Sequence, residues 1–71
     1  MFIREQVKDQ LDQRISDHVP LSQNLAWLRS TEASVADAVE LLEGVGLHRI
    51  EARFLLGSDP AWKALLDDEA H

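Results

Sequence analysis

Apolar residues near the start of the chain recur at every fourth position. The row consists of Ile3, Val7, Leu11, Ile15 and Val19, and every position between them is polar. At 3.6 residues per turn, such a row shifts by about 40° around the helix at each step and forms a narrow stripe. The pattern predicts one long helix over residues 2–19. We expect it to end at Val19-Pro20, because proline disfavours the helical conformation of its predecessor.

The middle of the chain carries two further helical patterns. The apolar face of a second helix over residues 20–30 is formed by Leu21, Leu25 and Leu28. Ser34, with Asp37 three residues later, is a weak capping box and predicts a new helix over residues 34–43. The alternative is one continuous helix, because apolar positions alternate by three and four through this region with one polar interruption. We favour a break near residues 30–33.

The pattern after residue 33 predicts three short helices separated by glycines. The core side of residues 34–43 is predicted to hold Val35, Ala36, Val39, Leu41 and Leu42. A helix over residues 47–56 is predicted to point Leu47, Ile50, Phe54 and Leu55 inward. Ser58-Asp59-Pro60 is a strong start signal for a final helix, whose apolar side holds Trp62, Leu65 and Leu66. Residues 67–71 are predicted to be a frayed acidic tail, since carboxylates oppose the dipole at a helix C-terminus.

No segment alternates with period two, so the sequence predicts an all-α bundle of four or five helices with a long N-terminal helix. The 71 residues allow a single domain, 1–71, with 20–66 as its bundle. The absence of cysteine excludes a disulfide scaffold and a thiolate metal site. No apolar run reaches the roughly 20 residues of a membrane helix. Together with the early charges, this favours a cytoplasmic protein.

Small size shapes the expectation about assembly. A chain of this length supplies a small core, and without disulfides or metals such chains often rely on a partner subunit. We therefore expect a homodimer, formed through the stripe on the N-terminal helix. The predicted protein interface consists of Phe2, Ile3, Val7, Leu11, Ile15 and Trp27. The two tryptophans, Trp27 and Trp62, fit either a core or an interface.

Gly44-Val45-Gly46 lies between two predicted helices. It resembles the hairpin of the helix-hairpin-helix DNA-binding motif, which reads glycine, hydrophobic, glycine. The resemblance implies phosphate contacts from Gly44 and Gly46, with His48, Arg49 and Arg53 nearby. The sequence departs from that motif at Ile50, where the family usually has a small residue. The alternative is a tight helical corner.

Charge weakens both nucleic-acid interpretations, whether helix-hairpin-helix or helix-turn-helix over residues 34–56. Phosphate binding depends on neutralising charge, yet the chain carries 13 acidic against 7 basic residues, a net charge of −6. Residues 20–46 hold one arginine and four carboxylates. Nucleic acid is therefore an unfavoured partner, and the acidic excess itself fits a solvated surface.

Nothing in the sequence indicates catalysis. The three histidines, His18, His48 and His71, are far apart, and no spacing matches a metal site. We expect no enzyme activity, cofactor, metal or small-molecule substrate. The favoured function is a small regulatory protein that binds another protein, as inhibitors, adaptors, antitoxin-like neutralisers and phage-encoded modulators do. The alternatives are the nucleic-acid regulator and an accessory subunit of a larger complex.

Overall fold

The structure, a computed structural model, describes residues 2–69 of the chain. This part contains five α-helices and no strand, which confirms the all-α prediction. The helices are α1 Arg4–Ser16, α2 Leu21–Ser30, α3 Val35–Gly44, α4 Arg49–Gly57 and α5 Pro60–Glu69. The favoured break between α2 and α3 is confirmed. Helix α1 is shorter than the predicted span of 2–19. Residues 67–69 of the predicted acidic tail belong to α5, and residues 70–71 lie outside the described part.

Three helices are followed, two residues after their last residue, by a residue with the left-handed backbone conformation. These residues are His18 after α1 (φ 60°), Glu32 after α2 (φ 67°) and Gly46 after α3 (φ 107°). After α1, the His18 amide donates to the Ile15 carbonyl at 3.0 Å. Such C-terminal caps satisfy carbonyls that would otherwise lack a donor, so each helix has a defined end. Of these three residues, only Gly46 predicts the left-handed conformation by its residue type, because residues other than glycine rarely adopt it.

Side chains also fix three helix starts. The Ser34 hydroxyl accepts from the Asp37 amide at 3.1 Å, as the capping-box pattern predicts. Asp59 accepts through Oδ1 from the amides of Ala61 at 2.9 Å and Trp62 at 3.2 Å. His48 caps α4, an arrangement described below with the site. These caps satisfy amide donors that have no partner within the helix.

A single hydrophobic core lies at the centre of the five helices. Helix α3 contacts α1, α4 and α5, and α5 also packs against α2 and α4. The buried core residues are Val7, Leu11, Leu25, Leu28, Ala33, Val35, Ala38, Val39, Leu41, Leu42, Ala52, Leu56 and Trp62. Trp62 is fully buried, and its indole Nε1 donates to the Leu25 carbonyl at 2.9 Å. This tryptophan is therefore core, one of the two alternatives that its sequence left open.

The stripe on α1 packs against its own chain. Leu11 is 0% exposed and Val7 is 6% exposed, whereas Ile3, at the end of the stripe, is 43% exposed. The gradient follows from the 40° shift per step, which turns the ends of the stripe away from the surface that its centre contacts. Since α1 contacts α3, the stripe is accounted for within one chain.

Candidate protein-binding surface

Helix α4 exposes two large apolar side chains. Phe54 is 81% exposed and Ile50 is 74% exposed, while Ala52 and Leu56 on the same helix are fully buried. At about 100° per residue, Ile50 and Phe54 lie on the side of α4 opposite Ala52 and Leu56. The prediction that Ile50 and Phe54 point inward is therefore wrong, because the smaller Ala52 and Leu56 make the core contact.

The exposed pair belongs to a larger patch, which we call the α4 surface and define as Leu21, Leu47, Ile50, Phe54 and Leu55. These five residues and Glu51 line a shallow cleft of about 370 Å³. A second cleft of about 380 Å³ adjoins it and shares Leu21 and Leu47. Leu21 is 45% exposed, and Leu47 and Leu55 are half-buried. The α4 surface is thus anchored to the core at its edge and open to solvent at its centre.

Opposite charges flank the pair Ile50 and Phe54 around α4. Arg49 and Arg53 lie on one side and line a cleft of about 470 Å³ that also contains Glu40 and Glu43. Neither guanidinium group forms an ion pair or a hydrogen bond with another residue in the range 2–69. Glu51 lies on the other side, where its Oε1 accepts from the His48 amide at 3.2 Å. A molecule that contacts Ile50 and Phe54 therefore meets Arg49 and Arg53, with carboxylates behind them, on one side and Glu51 on the other.

Helix α4 presents this surface on a well-fixed backbone. His48 and Glu51 form a capping box at its start: the Ile50 amide donates to Nδ1 of the His48 ring at 3.4 Å. At its end, the Ser58 hydroxyl donates to the Leu55 carbonyl at 2.6 Å. A helix fixed at both ends loses little conformational freedom when a partner binds.

The predicted interface residues are divided between core and surface. Val7 and Leu11 are buried in the chain's own core and cannot contact another chain unless the fold opens. Phe2, Ile15 and Trp27 are half-buried and pack against the core, and Ile3 is partly exposed. The guanidinium of Arg14 lies over the Trp27 ring at 5.0 Å from its centroid, which covers one face of the indole.

The Gly44-Val45-Gly46 corner uses its amides to end α3. The amides of Val45, Gly46 and Leu47 all donate to carbonyls of Leu42 or Glu43, at 3.0–3.2 Å. The pattern is a Schellman motif, with Gly46 as its left-handed residue. A phosphate cradle of the helix-hairpin-helix type needs amides that point at the ligand, and these are already engaged.

The other residues predicted to contact nucleic acid also lie against groups of their own chain. His48 and its amide belong to the capping box, and the end of the Lys8 side chain lies beside Gly44, with Cε 2.8 Å from where a Cβ would be. Arg49 and Arg53 share their cleft with carboxylates. The outermost side of α4 is apolar, whereas a recognition helix presents polar groups there.

Within 2–69, no group of three His, Cys, Asp or Glu side chains is arranged to hold a metal ion. No helix in that range has the length and apolar character needed to cross a membrane.

The sequence did contain a signal for the α4 surface. Apolar residues of α4 occur on two opposite sides of the helix, as Ile50 with Phe54 and as Ala52 with Leu56. A helix with one core contact needs one apolar stripe, so a second stripe on nine residues predicts that one apolar face of α4 is exposed.

Comparisons of the chain with models of protein families, with curated proteins and with solved structures give no match.

Proposed function

We propose that the chain is a small non-enzymatic regulatory or adaptor protein that acts by binding protein through the α4 surface. The observation that carries the proposal is the exposure of Phe54 and Ile50, at 81% and 74%. Large apolar side chains that adjoin one another on a surface mark interaction sites more often than isolated ones do. The cytoplasm is its proposed location, a prediction that rests on the sequence.

The composition of the surface supports a protein partner. Aromatic residues and arginine are enriched at protein interfaces, and Phe54 follows Arg53 directly in the chain. Burying Phe54 alone removes on the order of 200 Å² of apolar area from water, which is a large gain for a single residue. An apolar centre between two charged edges is the usual anatomy of such an interface.

The alternatives differ in what they require. A nucleic-acid regulator needs free amides or a basic face, and no observation on α3 or α4 favours one. An accessory subunit of a larger complex could use the same α4 surface, but it would hold its partner permanently. The regulatory proposal expects a partner that the chain can leave.

Affinity capture with matched variants tests the proposal. The wild type, Phe54→Asp and the control Ala26→Asp are each immobilised and exposed to lysate of the native host after nuclease treatment. Ala26 is an exposed residue of α2, so the control adds the same charge away from the α4 surface. We expect a stoichiometric protein that wild type and control retain and Phe54→Asp loses. Equal capture by all three chains would contradict the proposal.

A further inference from the structure

We infer that a second copy of this chain occupies the α4 surface, with the two α4 helices side by side and pointing in the same direction. The inference rests on the proposed function, because it names the partner of the same surface. It moves the expected homodimer from the α1 stripe, whose centre is buried, to a face that is open. Two observations carry it: the apolar area available and the opposite charges on the two edges of α4.

The apolar area is sufficient for a weak but specific dimer. Phe54 and Ile50 together expose on the order of 300 Å² of side chain, and the rest of the α4 surface adds roughly another 100 Å². Two chains would then bury about 800 Å² of apolar area at their centre. The flanking charged residues bring the total to roughly 1,000–1,200 Å², the lower end of specific interfaces. A dimer of this size is expected to dissociate in the micromolar range, since association itself is costly.

The charges determine the direction of pairing. Around α4, Glu51 lies about 80° to one side of the line through Ile50 and Phe54, and Arg53 lies about 80° to the other side. If the two-fold axis runs along the helices, each edge brings Glu51 of one chain beside Arg53 of its partner. If the helices are antiparallel, one edge brings the two Glu51 residues together and the other brings the two Arg53 residues together. Opposite charges attract and like charges across an interface are costly, so the parallel arrangement is favoured.

The pairing is also isologous, as closed dimers require. The same residues of both chains meet across the axis, so Phe54 contacts its symmetry mate and no surface is left to extend the assembly. The net charge of −6 on each chain opposes association at long range, and this repulsion is screened at physiological salt. The contacts between Glu51 of one chain and Arg53 of the other act at short range and are attractive.

Sedimentation of the full chain between about 1 µM and 1 mM tests the inference. Three variants accompany the wild type: Phe54→Asp removes the apolar centre, Arg53→Glu makes both edges acidic, and Glu51→Arg makes both edges basic. Far-UV circular dichroism of each variant checks that it folds. Because Glu51 also caps α4, Glu51→Gln serves as a second variant that keeps an acceptor for the His48 amide. The Arg53 side chain makes no hydrogen bond with a described residue, so Arg53→Glu leaves the cap intact.

We expect the wild type to dimerise and Phe54→Asp to raise the dissociation constant at least tenfold. Arg53→Glu and Glu51→Arg alone are each expected to weaken the dimer by about threefold to tenfold, and their equimolar mixture to regain wild-type affinity as a heterodimer. A wild type that is monomeric at 1 mM, or a dimer that Phe54→Asp does not weaken, would overturn the inference. Charge variants that dimerise like the wild type would overturn the parallel arrangement.

These outcomes also separate the inference from the proposed function. A monomeric wild type whose captured partner is still lost on Phe54→Asp would refute the second copy and leave the α4 surface as a binding site. A dimer insensitive to Phe54→Asp, together with equal capture by all variants, would refute both.

Discussion

Truncating Leu11 to alanine should destabilise the fold far more than truncating Phe54. Leu11 lies on α1 and is 0% exposed, whereas Phe54 lies on α4 and is 81% exposed. Removing a buried leucine side chain costs about 2–5 kcal/mol, because apolar transfer is lost and a cavity remains. We expect about 3 kcal/mol for Leu11→Ala. A chain of this size has a total unfolding free energy of roughly 4–10 kcal/mol, so this one change removes a large part of it.

Phe54→Ala should change stability by no more than about 0.5 kcal/mol. Most of its ring is already in contact with water in the folded chain, so little apolar burial is lost. Alanine also has the higher helix propensity, which offsets part of that loss. Removing the Phe54 side chain should therefore cost less stability than removing that of Leu11, although phenylalanine is the larger residue.

Urea unfolding followed by far-UV circular dichroism measures both effects, at chain concentrations low enough to keep the protein monomeric. The reasoning would be refuted if Leu11→Ala unfolded within about 0.5 kcal/mol of the wild type. It would equally be refuted if Phe54→Ala lost more than about 2 kcal/mol, since that would place Phe54 in the core.

Three further changes test particular contacts by the same unfolding assay. Trp62→Phe should cost about 2 kcal/mol, because the buried Leu25 carbonyl loses its indole donor and a void opens; a loss under about 0.5 kcal/mol would contradict that hydrogen bond. Gly46→Ala should cost about 1–2 kcal/mol, since φ is 107° at that position. Gly44→Ala should cost less than about 1 kcal/mol, because Gly44 has helical backbone angles. Equal losses for the two variants would contradict the left-handed conformation of Gly46. His18→Gly should stabilise by about 0.5–1 kcal/mol by relieving a left-handed backbone at a helix end, and a destabilised variant would contradict that strain.

Local signals in the sequence predicted most of the helix boundaries. Ser34 and Asp59 act as caps where the pattern placed them, and the glycine at position 46 ends α3. These features depend on hydrogen bonds within a few residues, so neighbouring sequence suffices to reveal them. The sequence did not predict left-handed backbone at His18 and Glu32, because residues other than glycine adopt that conformation only rarely.

The candidate site could not be predicted in the same way, because it depends on which of two apolar stripes faces the core. On α4 the larger pair, Ile50 and Phe54, was expected inside, yet the core accepts Ala52 and Leu56. Close approach of helices favours small residues at the contact, and only the tertiary arrangement reveals that. The same holds for α1, whose stripe meets α3 of its own chain, where the sequence suggested another chain.

Backbone amide NMR spectra over a dilution series would test the central claim, that a second copy of this chain binds at the α4 surface. If the account is right, chemical shifts that change with concentration will cluster at Leu47–Leu55 and around Leu21, while those of the exposed residues of α5 stay constant. Concentration-independent spectra, or changes centred on Phe2 and Ile3 at the start of α1, would contradict it.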